Sequence, residues 1–474
     1  MKLVHSLLGA AVAAASPLAG AATFTVTNLN DAGAGSLRDA ILQANAAAGA
    51  DTVQFAANLT GTIAIASEIL VSDTLSLAGP GVSRVTVDGG LATRLFKVAH
   101  TSGSAITATF SGLTLANGHA PDEGGAIWAS GDHVVVNGCI FDGNIANTRG
   151  GAIFTANANL TINGSGLWNS ETGSTGGAIL FSAGDLVITR SLIADNASQF
   201  GGGLSALSPR VNVTISDTTF RNNSADHTGG GIWASTATSF KVSRSSFVQN
   251  ETGQPNGGGI YFAGVTDFGS PTNIIENTTF SGNESLHQSG RGSALAIASG
   301  NMTIRNSTFA FNRTSPNDAG GANAGGALWV GGGDTTEVKL QSTLFAGNTH
   351  GSENTLFDVY RESGGSQSTI DVANSAFQTQ PSVTTLNGSV VAAMFDTDPA
   401  LEPLDENAFT PFHALPVTSP VIDHGSNPGN LATDQRGPGY SRSAAATEGG
   451  PAATDIGAYE YRVDRIFFGD FEAN

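Results

Sequence analysis

Three charged residues occupy equivalent positions in successive copies of an internal repeat, and they are the best catalytic candidates in the chain. Arg190, Asp217 and Arg244 each precede by three residues an apolar residue that recurs in every copy. If the copies stack as coils about 4.8 Å apart, one carboxylate would lie between two guanidinium groups. Such a row could neutralise an acidic sugar and shift the pKa values of proton-transferring groups. A salt-bridge ladder between coils is the favoured interpretation, because no Lys, His or second acid joins the row.

A second row of residues follows the motif Gly-Gly-small-aliphatic, which recurs along the middle of the chain. The aliphatic residue is always Ile or Leu and is expected to point inward, so the residue after it must point outward. The aromatic members of this outward row are Trp128, Phe154, Trp233, Tyr261 and Trp329. An exposed line of aromatic rings is a surface on which sugars or a partner protein can stack. The alternative is that long turns or terminal lids fold back and cover the rings.

Other polar residues give weaker or purely structural signals. Asp122 and Glu123 are adjacent acids and form a weak calcium candidate, while no other metal or cofactor is expected. Cys139 falls in a column otherwise filled by Ser and Thr, so it is predicted to be a small buried residue rather than a nucleophile. An asparagine recurs at one turn of each coil, where tolerance of αL geometry and stacking of amides predict a structural ladder. The ladder consists of Asn144, Asn196, Asn223, Asn250, Asn283, Asn312 and Asn348.

A repeat of about 26 residues must position these rows. Its Gly-Gly motif, worn in one copy, begins at Gly124, Gly150, Gly176, Gly201, Gly229, Gly257, Gly292 and Gly325. Apolar β-branched residues alternate within each copy, which predicts strands with one buried face. Equivalent positions, such as Val136, Ile188 and Ile215, are apolar in every copy, so the strands should stack in register. The predicted fold class is all-β: a right-handed parallel β-helix with an N-terminal capping helix and a C-terminal capping region.

The ends of the chain differ from the repeats. The first residues have a basic start, an apolar Ala-rich stretch and small residues, which predicts a signal peptide cleaved near Ala21 or Ala22. The pattern Ser36-Leu37-Arg38-Asp39 predicts a capping box that opens a helix running through Ala44, the expected lid on the first coil. The predicted segments are 1–22 (signal peptide), 23–104 (N-terminal cap and first irregular coils), 105–378 (β-helix repeats), 379–462 (cap that closes the last coil) and 463–474 (C-terminal tail).

Composition narrows the classes of partner. The 474 residues carry a formal net charge of −19, which argues against a phosphate-backbone partner such as a nucleic acid. A single Cys excludes a disulfide scaffold and a zinc cluster. No stretch after the predicted signal peptide is long and apolar enough to span a bilayer as a helix, so no integral membrane span is expected in the mature chain.

The alternating Gly-Gly-Ala-Ile and Phe-x-x-Asn motifs resemble the repeats of the chlamydial-type polymorphic outer-membrane proteins. This resemblance covers about residues 105–350, and those relatives are surface-displayed adhesins. The segment Gly35-Ser36-Leu37-Arg38-Asp39 is similar to the start of CSLREA-type bacterial exoproteins, with Gly35 in place of Cys and Asp39 in place of Glu.

The C-terminal motifs carry two further resemblances. Thr433-Asp434-Gln435-Arg436-Gly437 and Asp455-Ile456-Gly457-Ala458-Tyr459-Glu460 resemble the choice-of-anchor Q domain of secreted bacterial β-helix proteins. The tail Arg465-Ile466-Phe467-Phe468-Gly469-Asp470-Phe471-Glu472 resembles the ends of Gram-negative exoproteins. Together these resemblances imply a secreted or outer-membrane protein at the surface of a Gram-negative bacterium, and they supply no catalytic residues.

Two functions follow from these patterns. The favoured one is a secreted or cell-surface β-helix protein with an adhesive, structural or glycan-binding role and no catalysis. Its partner would be an extracellular glycan or a host or cell-surface protein. The alternative is a polysaccharide lyase or hydrolase of the pectate-lyase-like β-helix type, an idea that rests on fold analogy. A lyase needs basic residues or Tyr converging with acids in one groove, and the chain has only four lysines.

Overall fold

A computed structural model describes most of the chain. The described residues are 20–101, 103–264, 273–287, 289–314, 325–332, 336–362, 368–381, 383–447 and 450–462. Nearly all of the predicted signal peptide and the whole predicted tail, 463–474, therefore lie outside the described residues.

The described strands build four long sheets. The first coils pass through sheets A, B and C, and from His119–Ala120 onward the chain passes in turn through sheets A, B, D and C. Sheet A contains Thr23–Val26, Asp51–Phe55, Leu75–Ala78, Thr107–Ser111, His133–Asn137, Leu160–Asn163, Gly184–Thr189, Val211–Ser216, Ser239–Ser243, Asn273–Glu276, Met302–Arg305, Glu337–Gln341, Thr369–Ala373 and Asn387–Val391. Sheet B contains Gly61–Ala64, Val85–Asp88, Thr114–Ala116, Ile140–Asp142, Gly166–Trp168, Leu192–Ala194, Thr219–Arg221, Ser246–Val248, Thr279–Ser281, Thr308–Ala310, Leu344–Ala346 and Ala376–Phe377.

The other two sheets complete the coils. Sheet C contains Ile69–Val71, Phe96–Val98, Ile127–Ser130, Ile153–Ala156, Ile179–Ser182, Leu204–Leu207, Ile232–Ala237, Ile260–Gly264, Leu295–Ser299, Leu328–Val330 and Val359–Arg361. Sheet D contains His119–Ala120, Ile145–Ala146, Glu171–Thr172, Ala197–Phe200, Ser224–Thr228, Glu251–Thr252, Glu284–Ser285, Arg313–Thr314, Thr349–His350 and Thr355–Leu356. Leu404–Asp405 and Phe412–His413 form a separate antiparallel pair. The fold is thus an all-β parallel solenoid of about twelve coils, as the repeat predicts.

The interior is built by the predicted stacking of equivalent residues. Val136 lies beside Ile162, and Ile162 beside Ile188, in neighbouring strands of sheet A, and all three side chains are buried. On the inner face of sheet B, phenylalanine rings from successive coils stack with centroids 4.6–5.0 Å apart. The stack consists of Phe220, Phe247, Phe280, Phe309, Phe345 and Phe377. Each apolar column therefore forms one continuous core along the rod.

The Gly-Gly motif marks the turn between sheets D and C, and its two glycines have different roles. The first glycine has a positive φ, for example 63° at Gly150 and 67° at Gly229, which side chains rarely adopt. The second approaches the next coil so closely that a Cβ at Gly151 would overlap the carbonyl oxygen of Gly177. The motif recurs because both the turn and the coil spacing exclude a side chain.

The buried Cys139 follows the behaviour of its Ser and Thr neighbours. Its N–H donates to Ser165 Oγ at 3.1 Å, and its thiol lies 3.7 Å from the carbonyl oxygen of Asn137. Burial raises the pKa of the thiol to about 11, so very little reactive thiolate exists at neutral pH.

We therefore expect native Cys139 to resist thiol reagents until the protein is denatured. Cys139→Ser should change the free energy of unfolding by less than about 1 kcal/mol, because Ser165 makes the equivalent bond to the carbonyl oxygen of Asn163 at 3.0 Å. The measurement is the rate of thiol labelling with and without denaturant. Rapid labelling of the native protein would contradict the inward placement of the column.

The predicted N-terminal helix is present and spans Leu37–Ala46. Ser36 Oγ accepts from the N–H of Asp39 at 3.2 Å, and the Asp39 carboxylate accepts from the N–H of Gly35 at 3.1 Å. The helix buries Leu37 and Ile41 against the first strands of the solenoid, so it covers the open sheet edges at this end.

Only the first part of the C-terminal region, up to Val391, closes the last coil. A short helix, Val383–Leu386, and the strand Asn387–Val391, which joins sheet A, cover the end of the rod. The following residues, 399–462, instead run back along the outer face of sheet B. Phe409, for example, accepts a hydrogen bond from Thr219 Oγ1 at 2.7 Å, many coils before the end. The expectation that the whole of 379–462 caps the last coil therefore does not hold for this second part.

Candidate functional site

The outward row on sheet C has the predicted register, but its rings are not exposed. Trp128 pairs with Phe154, and Trp233 with Tyr261, in neighbouring strands. Phe154 and Trp329 are buried, with 5% and 4% of their surface accessible. Trp128, Trp233 and Tyr261 are half-buried. The expectation of an exposed aromatic line is thus wrong for Phe154 and Trp329, and only partly right for the other three.

Side chains from the turn before the Gly-Gly motif, and Lys97 from the neighbouring strand of sheet C, cover the rings. Glu123 accepts a hydrogen bond from the indole N–H of Trp128 at 3.1 Å, while Lys97 lies over the same ring, 5.1 Å from its centroid. Arg149 lies 5.4 Å from the centroid of Phe154. Later along the rod, Phe200 packs against Trp233 with centroids 4.9 Å apart, and Arg291 lies 5.0 Å from the centroid of Trp329. The alternative noted from the sequence, that turns fold back over the rings, describes most of this surface.

The row of three charges forms an ion pair and a separate hydrogen bond rather than a continuous ladder. Arg244 holds Asp217 through two bonds of 2.7 Å, one to each carboxylate oxygen. Hydrogen bonding to Asp217 raises the pKa of Arg244. Arg190 is exposed and donates to Asn163 Oδ1 at 2.7 Å. All three have φ near +45°, at a turn that holds Gly138 in an earlier coil, so their alignment follows from the backbone.

The weak calcium candidates are engaged by arginines. Asp122 forms an ion pair with Arg94, which also contacts Glu68 at 2.7 Å, and Glu123 forms one with Arg149. Within the described ranges, no group of three or more His, Cys, Asp or Glu side chains is arranged to hold a metal ion. The two acids therefore balance cations of the scaffold.

The asparagine ladder forms the predicted hydrogen bonds between coils. From Asn196 to Asn348, each side-chain N–H₂ donates to the Oδ1 of the next asparagine at 2.8–2.9 Å. The last amide donates to the buried carboxylate of Asp358 at 3.0 Å, and burial raises the pKa of that carboxyl. Asn144 stands apart because the next coil has Ser170 at this position. The αL residue is the one before each ladder asparagine, such as Asn222, rather than the ladder residue itself.

The C-terminal motifs attach residues 399–462 to the rod. Gln435 is buried, accepts from Thr279 Oγ1 at 2.6 Å and donates to Ser246 Oγ at 2.9 Å. The fully buried Arg442 pairs with Glu460 at 2.6 Å and also donates to Asn277 of the rod at 3.3 Å. These residues therefore have a structural role that motif resemblance alone did not reveal.

His413 offers a pH-dependent contact between the same segment and the rod. Its Nδ1 lies 2.8 Å from the carbonyl oxygen of Glu402, and its Nε2 lies 2.9 Å from Ser281 Oγ. A carbonyl can only accept, so Nδ1 carries the proton and Nε2 accepts from the hydroxyl of Ser281. Burial lowers the pKa of His413 below its usual 6.5.

We expect His413 to destabilise the attached segment as the pH falls below about 6.5, because the unfolded state then binds a proton that the native state resists. Asp455 works in the opposite direction, since burial raises its pKa to about 6 and favours the native state at lower pH. The measurement is the melting temperature of wild type and His413→Gln between pH 8 and pH 5. The difference between the two proteins should shrink as the pH falls, and a constant difference would contradict the assignment.

Comparison with known proteins supports the architecture. Residues 97–247 match a family model described as "Right handed beta helix region". No curated protein matches the sequence. In the described residues, no helix has the length and apolarity needed to cross a membrane.

Solved structures show distant likeness. One is a mannuronic acid specific polysaccharide family 6 lyase from human gut microbiota, with 10% identity, a TM-score of 0.39, and coverage of 79% of this chain and 87% of that chain. Another is ORF18 of Geobacillus virus E2, with 12% identity, a TM-score of 0.32, and coverage of 79% and 62%. Neither likeness bears on activity. The coil topology and the matching family model together make this chain a right-handed parallel β-helix protein.

Proposed function

We propose that this protein is a secreted or cell-surface β-helix rod that binds glycans, or surfaces that carry them, without catalysis. Export is part of the proposal and follows from the signal-peptide pattern. The rod presents long faces of hydroxyl, amide and half-buried aromatic side chains, which suit contact with sugars.

The observation that carries the proposal is the pairing of the candidate catalytic charges. General acid or base catalysis needs a group that is free to exchange a proton with the substrate. Both oxygens of Asp217 are already held at 2.7 Å by Arg244, and the third member, Arg190, is bonded to Asn163. The acids Asp122 and Glu123 are likewise paired with arginines. These charges serve the scaffold, so binding remains the chemistry that the surface supports best.

On sheet C, the contact surface would consist of Trp128, Trp233 and Tyr261, which keep part of their surface accessible. The buried Phe154 stacks beside Trp128 with ring centroids 6.2 Å apart, whereas Trp329 lies under Arg291 and takes no part in this surface. Lys97 lies over the ring of Trp128 and Phe200 packs against Trp233, so these two side chains would have to move aside for a sugar to stack on either ring face. A glycan therefore contacts ring edges and the flanking polar side chains in this arrangement.

Affinity electrophoresis through gels containing neutral or acidic polysaccharides tests the proposal. We expect the wild type to be retarded, and Trp128→Ala or Trp233→Ala to lose roughly 1–3 kcal/mol of binding free energy. Trp329→Ala is the matched control, because its buried ring should cost stability rather than affinity.

The alternative, a polysaccharide lyase or hydrolase, is tested in the same samples by ultraviolet absorbance of unsaturated uronates and by release of reducing ends. We expect neither signal to appear, and Asp217→Asn to leave binding unchanged. Release of products by wild type that Asp217→Asn abolishes would overturn the non-catalytic assignment.

A further inference from the structure

The outer face of sheet B is covered along only part of its length. Residues 399–462 lie on the strands from Thr219–Arg221 onward, through contacts such as Thr219 with Phe409 and Ser246 with Gln435. Among the described residues, this segment makes no hydrogen bond to the preceding strands, Ile140–Asp142, Gly166–Trp168 and Leu192–Ala194. Ile140, Trp168 and Leu192 on these strands are half-buried, whereas Thr219 and Ser246 beneath the segment are buried, so this part of the face, called the open part below, keeps accessible surface.

The open part contains a break in the repeat. Trp168 lies between Asp142 and Ala194 of the neighbouring coils, in a row that holds no other aromatic residue. In the row beside it, Gly166 stands between Ile140 and Leu192. A Cβ at position 166 would overlap the indole of Trp168, so the missing side chain makes room for the ring. Gly166 and Trp168, which are neighbours on the outer face, thus both differ from the equivalent residues of the other coils, and the small residue accommodates the large one.

Trp168 differs from the other three tryptophans in its surroundings. Trp128, Trp233 and Trp329 each have a ring or a cation packed against them. For Trp168, the described part of the chain supplies neither, and its indole N–H forms no hydrogen bond there. Trp168 is half-buried, so part of its surface is accessible to solvent.

Polar side chains border the tryptophan in the adjacent turn. Asn169 donates to Asp142 Oδ1 at 2.9 Å, and two coils further along the rod Asn222 donates to Asp195 Oδ1 at 3.1 Å. Asn169, Asp195 and Asn222 are exposed. These amides and carboxylates offer the paired donors and acceptors that sugar hydroxyls use.

The charges of this face select against acidic sugars. Asp142 and Asp195 are carboxylates, and of the two nearby arginines Arg221 is held by Glu406 at 3.4 Å and Arg190 donates to Asn163 Oδ1 at 2.7 Å. A uronate close to Asp142 would be repelled by the like charge of its carboxylate. The net charge of −19 adds to this repulsion.

We propose that Trp168, Asp142, Asn169, Asp195 and Asn222 form a binding site for a chain of uncharged sugars on the open part of sheet B. The sugar packs on the exposed part of the indole, and its hydroxyls bond to the amides and carboxylates of the adjacent turn. The site continues the face on which residues 399–462 are bound, so a glycan takes up the position that the segment leaves free. This inference rests on the proposed glycan-binding function and names the sugar class and the residues.

Affinity electrophoresis of the mature chain tests the inference, with a neutral glucan and a neutral galactomannan against alginate and polygalacturonate. We expect Trp168→Ala to weaken retardation by a neutral polysaccharide at least 10-fold, with a melting temperature within a few degrees of wild type. Thr214→Ala, at an exposed position of sheet A that takes part in neither proposed contact surface, should be retarded as strongly as wild type. The double variant Asp142→Asn with Asp195→Asn should gain retardation by alginate.

The outcomes separate this inference from the proposed function. Wild type that no polysaccharide retards would overturn the glycan-binding function itself. If a polysaccharide retards wild type and Trp168→Ala equally, the proposed site at Trp168 is wrong, while the glycan-binding function is still supported. Stronger retardation of wild type by alginate than by neutral chains, lost in Trp168→Ala, would overturn the assignment to uncharged sugars.

Discussion

Ile215→Asp prevents the rod from folding. Ile215 is fully buried and stacks between Ile188 and Val242 of the neighbouring coils, with no polar partner in the column. A carboxylate there loses its hydration without gaining a bond, at a cost of several kcal/mol. The substituted position lies in the middle of the rod, where each coil is stabilised by contacts with both neighbouring coils. Loss of one coil there therefore disrupts the stacking of the whole rod. The measurement is far-UV circular dichroism and thermal unfolding of the soluble protein.

Thr214→Asp is the matched control for this substitution. Thr214 is the preceding residue of the same strand and is exposed, beside the outward Lys241 of the next coil. The same charge there should leave the melting temperature nearly unchanged. Two variants that fold equally well would show that the faces of this strand have been assigned wrongly.

Arg442→Ala releases the C-terminal segment from the rod. The Arg442 guanidinium donates to Glu460 at 2.6 Å and to the carbonyl oxygens of Gly457 and Ala458 at 2.9 and 3.1 Å. Its removal takes the cation away from the buried Glu460, whose pKa burial already raises to about 8, so the carboxyl takes up a proton and the hydrogen bonds of the guanidinium are lost. Limited proteolysis should therefore cut within residues 399–462 while the strand signal of the rod in circular dichroism persists.

Two further variants identify the cause of the release. Arg442→Met combined with Glu460→Met removes both charges and should restore much of the protease resistance. Arg210→Ala removes an exposed arginine and should behave as wild type. Equal protease resistance of Arg442→Ala and wild type would show that the pair does not hold the segment.

The repeat pattern predicted the coil architecture because the same type of residue recurs at each equivalent position in many copies along the chain. The stacked columns of Val136 and Ile215, the place of Cys139 among Ser and Thr, and the register of Trp128 with Phe154 all follow from one periodicity. The start of the N-terminal helix at the capping box of Ser36 could also be predicted from the sequence, because its hydrogen bonds join residues that are close in the chain.

Exposure could not be predicted in the same way, because it depends on side chains from other parts of the chain. An outward direction at Phe154 did not show that Arg149 of the preceding turn lies over the ring. One sequence feature could have indicated that the rings are covered. In several copies the residue directly before the Gly-Gly motif is charged or aromatic, as at Glu123, Arg149, Phe200 and Arg291. The sequence does not show where these side chains point, because their direction depends on the backbone conformation of the turn.

The C-terminal segment was hidden for a related reason. Contacts such as Thr279 with Gln435 join residues 156 positions apart, and no periodicity links them. The contacts of this segment begin at Thr219–Arg221, two coils beyond Trp168, and this placement is likewise outside the reach of the repeat pattern. A break in a repeat, here Gly166 with Trp168, is a sequence signal that could have drawn attention to this position.

The molar-mass distribution of a neutral polysaccharide after incubation with the wild-type protein tests the central claim most directly. Size-exclusion chromatography with light scattering should show the polysaccharide shifted to higher mass by bound protein. After the protein is digested, the polysaccharide should return to its starting distribution, because the rod binds without cleaving. A distribution shifted below that of the untreated polysaccharide would contradict the non-catalytic assignment, and the absence of any shift would contradict binding.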